Sequence, residues 1–385
     1  MEFNGYVRKN GDVGIRNHLL IMASVVCSAT VTQAIGAQVS GAKVITHQHG
    51  CSQLGYDKDT TLKTLAGMGK NPNVGAVLVV GLGCETISAD MIADEIAKTG
   101  KLVEKVIIQE VGGTPATISK GVTIAQDMMA ELSKQQRQPV SIKKLTLATE
   151  CGGSDAYSGL TANPALGAAS DMLVNLGARV ILSETTEFIG AEQILCKRAA
   201  NEEIAADIIR IVKKREQDAL DMKVDLRGAN PSPGNIAGGL STIEEKSLGC
   251  VYKGGSTVIN EVVEYADAPT KGGLVIMDTP GNDAESITGM VAGGAQIVVF
   301  TTGRGTPVGC PIAPVIKVST NTKNYYNMRE NMDLNAGTIL TDDNTIKNAG
   351  EEILQEIIEV ANGKMTKAEI LNHCEFSLSR VAPSF

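Results

Sequence analysis

Short apolar runs of β-type residues alternate along this chain with segments whose apolar residues recur every three or four positions. No other feature narrows the fold as much. HLLIMAS (18–24), AKVIT (42–46), GAVLVVG (75–81), EKVIIQE (104–110), LTLAT (145–149) and RVILSE (179–184) read as buried strands, because a parallel sheet covered on both faces needs near-continuous apolar strands. ATVTQAIGAQV, TTLKTLAGM, ADMIADEIAKTG and PATISKGVTIAQDMMAELSKQ lie between them with helical spacing. The alternation predicts an α/β fold of two Rossmann-like units with mainly parallel sheets.

The helical segment NEEIAADIIRIVKKREQDALDM (201–222) closes a first domain over residues 1–226. A Gly/Pro/Asn-rich crossing segment follows over 227–249; NPSPGN and EEK make it too mixed in chemistry for a plain spacer. A second α/β domain is expected over 250–385, with strands GLVIMD (273–278), QIVVFTT (296–302) and PVIKVST (314–320) and a helix over 343–363.

Composition removes several classes of function. A net charge of -8 without a Lys/Arg-rich run gives no surface for phosphate backbones, and an aromatic content of 3% with Trp 0 leaves little to stack on bases. The N-terminal MEFNGYVRKNGDVG lacks the apolar core of a signal peptide, and no apolar run reaches membrane-spanning length. No nucleic acid, no membrane and a cytoplasmic location are therefore expected.

In open α/β sheets ligands collect beyond the carboxyl ends of the strands. Three strands of the first unit end in a cysteine among small residues: VITHQHGCSQ with Cys51, VLVVGLGCET with Cys84 and LTLATECGGSD with Cys151. Three thiolates select iron or zinc and leave a fourth coordination position for substrate. Ser154 and Asp155 follow Cys151 at once. No CxxC pair occurs among them, and GLGCET meets only part of a dinucleotide-binding pattern. Cys27, Cys196 and Cys374 read as small core residues, while Cys250 in a Gly-containing loop stays open. In the second unit, MDTPGNDAES and FTTGRGTPVG are strand-to-loop transitions that bring out Asn282, Arg304 and Thr306; Arg304 between two glycines is free to fork a carboxylate.

GDVGIRN (11–17), HGCSQ (49–53), GLGCE (81–85), ECGGSDAYSGLTANP (150–164), NPSPGNIAGGLSTIEEKSLG (230–249), PGNDA (280–284) and TTGRGTP (301–307) resemble the motifs of the altronate dehydratase and galactarate dehydratase family over essentially the whole chain. The resemblance implies an enzyme, a hydro-lyase that removes water from a sugar acid to give a 2-keto-3-deoxy acid, with iron as cofactor, either mononuclear Fe2+ or a [4Fe-4S] cluster. Complete members of the family carry a small His-rich β-domain ahead of the region equivalent to GYVRKNGDVG. Its absence implies the large subunit of a two-subunit enzyme, with a separate small subunit as partner and an oligomeric assembly. His49 departs from the family, where Tyr is usual, whereas His47 matches it. Cys310 has no family counterpart and is assigned to structure. Two alternatives remain: a sulfolactate sulfo-lyase large subunit, whose branch does not keep all three strand-end cysteines, and a non-catalytic α/β binding subunit.

Dehydration of a dihydroxy acid needs a base next to the carboxylate, stabilisation of enediolate-like charge and a proton for the departing hydroxyl. The nominated bases are His47, close to Cys51, and Lys246 in the EEK run. Arg304 would clamp the carboxylate, with Asn235, Asn282 and Ser154 orienting hydroxyls.

Overall fold

The structure, a computed structural model, describes residues 1–341 and 343–385. Its strands are β1 (Glu2–Val7), β2 (Val13–Gly14), β3 (His18–Ala23), β4 (Lys43–Ile45), β5 (Val74–Gly81), β6 (Leu102–Ile107) and β7 (Gln138–Ser141). The remaining strands are β8 (Thr146–Cys151), β9 (Arg179–Leu182), β10 (Ile259–Val263), β11 (Gly273–Met277), β12 (Ile297–Thr302), β13 (Val315–Ser319) and β14 (Leu334–Asn335). They form a parallel sheet of four in the order β4-β3-β5-β6, a parallel sheet of seven in the order β10-β11-β9-β8-β12-β13-β14, and a small antiparallel sheet β2-β1-β7.

The α/β expectation with mainly parallel sheets is met, and each expected strand of the first reading falls in one of the two parallel sheets. EKVIIQE is shorter than expected as a strand: β6 stops at Ile107 and the chain turns into a helical turn over Ile108–Val111. The division of the chain needs correction. β8 and β9, inside the expected first domain 1–226, pair with β12 and β11 of the expected 250–385 domain, so the sheets do not divide at 227–249. The long helix Glu202–Asp221 resembled a closing element because it is strongly amphipathic, but it packs on the large sheet's side of the molecule. The crossing segment is folded, with short helices Pro233–Ala237 and Ile243–Cys250.

The two-residue period of the strands distributes the core. Leu19 and Ile21 pack outward with the helix Thr114–Leu132, whereas Leu20 and Met22 face a central layer shared with Ala148, Val298 and Phe300 of the large sheet. Leu147 and Val299 face the far side, where helices Ala162–Asn175 and Ile346–Ala361 pack together. Each fully buried branched side chain contributes roughly 1.5–3 kcal/mol. Helices Gly55–Lys70 and Asp283–Ala292 pack against each other, which joins the two sheets. Asn73 Nδ2 adds donor bonds to the carbonyls of Gln296 at 2.8 Å and Ile312 at 3.0 Å. Among the described residues, no helix is long and apolar enough to cross a membrane.

Candidate active site

β8 and β9 lie side by side in the large sheet, so the residues at and just beyond their carboxyl ends share one location. There Cys151, Glu184, Glu187 and Cys250 offer donor atoms that all lie within 4.8 Å of one another, every one buried. The Cys151 thiol donates to Glu187 Oε2 at 3.3 Å, and its backbone N–H donates to Glu184 Oε2 at 3.0 Å. Lys246 Nζ pairs with Glu187 Oε1 at 2.6 Å, and the fully buried Lys253 pairs with Glu184. Glu184 holds φ at 69°, a left-handed backbone that a non-glycine residue adopts only when its surroundings enforce it.

Electrostatics separate these groups. Burial pushes Glu184 up to about 7 against the opposing charge of Lys253. Burial also acts to raise Glu187, but the charge and hydrogen bond of Lys246 win and hold it below the ordinary carboxylate value. For Lys246 burial works against the charge, and Glu187 outweighs it, so the ammonium is stabilised. The hydrogen bond with Cys250, then burial, lifts Cys151 well above the ordinary thiol range. Asp283, at the first turn of the helix Asp283–Ala292, is pushed up to about 6 by burial and then by Glu187. Its carboxylate lies so close to the loop after β8 that a Cβ on Gly152 would stand 2.4 Å from Asp283 Oδ2, so only glycine fits there. Beneath the site Glu150 is buried, and burial, then the charge of Glu184, raises its carboxyl well above the ordinary value; its Oε2 accepts from Ser286 at 2.7 Å, while Oε1 has no partner among the described residues.

A cavity of about 250 Å3 opens onto this cluster, with Cys151, Ser154, Asp155, Asn163, Lys246 and Tyr252 in its wall. A larger one, about 770 Å3, lies at the amino ends of β8 and β9, beside Thr146 and Arg179, and contains none of the candidate residues. The smaller cavity is the better site because it lies at the carboxyl ends of the strands, where loops can bring different side chains together.

The sequence-derived candidates fall into three groups. Lys246 is in the cluster and almost buried, contrary to a solvated EEK run. Asn235, Asp155, Asn282 and Thr306 are engaged in holding loops. Asn235 Nδ2 donates to Ser154 O at 3.0 Å, which fastens the 227–249 segment over the loop after β8. Asp155 accepts from Thr320 Oγ1 at 2.9 Å and Asn321 Nδ2 at 3.0 Å. Asn282 caps the helix Asp283–Ala292, and Thr306 Oγ1 accepts from Val308 N at 3.2 Å. Ser154 Oγ, by contrast, faces Cys151 Sγ at 3.9 Å. Arg304 is exposed; its backbone N–H donates to Gly153 O at 2.9 Å, and Nη1 donates to Gly234 O at 3.2 Å.

The third group lies at the other sheet. His47 Nε2 meets Ala23 O at 2.9 Å, and its Nδ1 accepts from the His49 N–H at 3.2 Å, so neither ring nitrogen is free to take a proton in this arrangement. Cys51 and Cys84 are exposed and are not among the four donors grouped with Cys151. Among the cysteines read as core, Cys27 and Cys374 are also exposed, and the undecided Cys250 belongs to the buried cluster. Sequence reasoning missed Glu184, Glu187 and Lys253. The signal for two of them was available: SETTE ends β9 as CGGSD ends β8, and the carboxylates there had the same claim to attention as the cysteines.

Such a fold, with acids, thiols and lysines buried at the carboxyl ends of parallel strands, defines an α/β enzyme. Residues 142–384 match the family described as D-galactarate/Altronate dehydratase, C-terminal, and residues 5–133 match D-galactarate dehydratase/Altronate hydrolase, second domain; the chain belongs to this family of lyases. The break between the two matches falls where the small and large parallel sheets divide. The chain is 36% identical to the altronate dehydratase of Bacillus subtilis, over 95% of this chain and 75% of that protein. It is 37% identical to the galactarate dehydratase (L-threo-forming) of Escherichia coli, over 94% and 73%. It is also 36% identical to the (2R)-sulfolactate sulfo-lyase subunit beta of Chromohalobacter salexigens, over 99% of this chain and 98% of that subunit.

Proposed function

We propose that this chain is an iron-dependent, cytoplasmic hydro-lyase that dehydrates an altronate- or galactarate-like sugar acid to a 2-keto-3-deoxy acid. The observation that carries the reading is the Lys246–Glu187 pair, 2.6 Å apart, whose lysine stands in the wall of the cavity beside Cys151 and Ser154. Elimination beside a carboxylate needs one group to take a proton and a cation to hold the resulting charge. Glu187 is the better base of the pair, and Lys246 is the cation, which also supplies a proton to the departing hydroxyl. This reverses the role first given to Lys246. Arg304, now donating to Gly234 O, would bind the distal carboxylate of the substrate, and Ser154, now facing Cys151, a hydroxyl.

The buried donor set suits a divalent metal ion. Held by two thiolates and two carboxylates, such an ion would carry two excess negative charges, which Lys246 and Lys253 balance. Cys151, Cys250, Glu184 and the Glu187 Oε2 that faces Cys151 would hold it, leaving Oε1 on the Lys246 side as the base, and bound iron would supply Lewis acidity next to the cavity.

The test is to assay altronate, galactarate and sulfolactate side by side, reading 2-keto-3-deoxy acid and sulfite. Release of sulfite without keto acid would replace the hydro-lyase reading with the sulfo-lyase one. The near-complete coverage of the sulfo-lyase subunit supports a large-subunit role, so the assay is run with and without a small His-rich β-domain subunit. Full turnover without it would remove that partner.

A further inference from the structure

Cys51 and Cys84 need a third partner other than Cys151, and the small sheet has one. Cys27 stands just past the end of β3, Cys51 past β4 and Cys84 past β5, and these three strands are neighbours in the order β4-β3-β5. All three cysteines are exposed, whereas Cys151 is buried. Their loops are pinned to one another: Val26 N–H donates to His49 O at 2.9 Å, Ile87 N–H to Gly50 O at 3.0 Å, and Ser52 N–H to Thr86 Oγ1 at 3.2 Å. A Cβ on Gly50, at φ 98°, would stand 2.2 Å from Ser24 O, so the loop after β4 is pressed directly onto the loop after β3. Ser52, next to Cys51, holds φ at 56°, again a backbone enforced by its surroundings. Glu85 closes the loop after β5 by accepting from Ser24 Oγ at 2.7 Å and from the N–H of Leu82 at 3.2 Å.

We propose that Cys27, Cys51 and Cys84 are the three protein ligands of an iron–sulfur cluster, seated on the carboxyl edge of the four-stranded sheet with one iron free of protein ligand. Thiolate donors select such a centre, and their exposure gives it a way in. Among the described residues, only the four donors around Cys151 gather within 4.8 Å, so these three sulfurs are spread wider than the ligands of a single ion. A sulfide-bridged cluster does not need its thiolates to meet at one point, because each binds a different iron. On transfer of a preassembled cluster, each thiol gives up its proton as an iron–sulfur bond forms, and no electron changes hands. The open iron would accept a hydroxyl or carboxylate oxygen. This centre is separate from the buried site and does not rest on the function proposed above.

The test uses the full chain prepared without oxygen and reconstituted with ferric iron, sulfide and a thiol reductant. Acid-labile sulfide and the visible absorption of the cluster are measured for the unaltered chain and for Cys27→Ser, Cys84→Ser, Cys151→Ser and Cys374→Ser. Loss of both signals in Cys27→Ser and Cys84→Ser, with retention in Cys151→Ser and in the exposed control Cys374→Ser, is expected. Absence of labile sulfide from the unaltered chain, or its retention in Cys27→Ser, overturns the proposal. Alkylation of the unaltered holoprotein keeps the test independent of how the variants fold. Cys27, Cys51 and Cys84 should be protected until a chelator strips the iron, and equal labelling before and after would overturn the assignment. Sugar-acid turnover is scored separately, so an inactive protein that retains its cluster counts against the lyase reading alone.

Discussion

The two parallel sheets carry the same residue type at the same topological place and treat it in opposite ways. At the small sheet, Cys27, Cys51 and Cys84 are exposed among backbone loops, with Gln109 Nε2 approaching Cys84 Sγ at 3.5 Å. At the large sheet, Cys151 and Cys250 are buried among two carboxylates and two lysines. A strand-end cysteine therefore has no fixed meaning of its own. Where backbone surrounds it and solvent reaches it, it is free to take an external group. Where carboxylates crowd it, its pKa is raised and it joins a network of paired carboxylates and lysines, closed to solvent.

The strongest way to break this comparison is at the base. Glu187→Gln should lower kcat by about 10²–10⁴-fold, the usual contribution of a positioned proton-transfer group. A rate within about threefold of the unaltered enzyme, measured on whichever acid is turned over, would move the chemistry away from the large sheet. The next effect concerns stability. Lys253→Met leaves Glu184 buried without its partner and should cost about 3–5 kcal/mol in chemical denaturation. Cys84→Ser, at an exposed position, should stay within about 0.5 kcal/mol. Equal losses in the two variants would remove the contrast between the sites.

Arg304→Lys keeps the charge but loses the fork. It should cost about 1.5–3 kcal/mol of transition-state stabilisation, one to two decades in kcat/KM, with the circular dichroism spectrum unchanged. The smallest effect belongs to the small sheet. His47 is held at about 4, below its ordinary value, because it is buried. The unfolded chain thus binds a proton that the folded chain refuses. Its contribution to stability is present above about 6.5 and is lost as the pH falls towards about 4. His47→Gln should flatten that part of the stability–pH curve. An unaltered slope would show that other groups set it.

Periodicity made the strands legible, because GAVLVVG or QIVVFTT can be buried on both faces only in a sheet of this kind. The pairing of β8 with β12 was not legible, since no local pattern states which strand across a long sequence gap becomes a neighbour. The short strands β1, β2 and β7 lack an apolar run, and their antiparallel register is set by partners far away in sequence. At the site, Cys151 and Lys246 were found through strand-end position and local chemistry. Glu184, Glu187 and Lys253 were not, because their importance comes from mutual burial, which depends on β9, the helix Ile243–Cys250 and the following turn meeting in space. Cys27 was misread for the complementary reason. Its apolar neighbours suggested a core position, yet the chain turns at Val26–Ser28 and carries the thiol outward.

The strand order of the large sheet also sets an order of assembly during synthesis. All four strands of the small sheet are made by residue 107, so its hydrogen-bonded ladder can close early on the emerging chain. β8 and β9 emerge next and form the middle of the other sheet, but the strands that flank them, β12 and β11, come only with Gly273–Thr302. Until then a nascent chain displays two strongly apolar strands with both outer edges unpaired, the arrangement most prone to recruit strands from other molecules. A chain released after residue 226 would be caught in that state. It should aggregate where the complete chain folds, even though its last helix, Glu202–Asp221, is already in place.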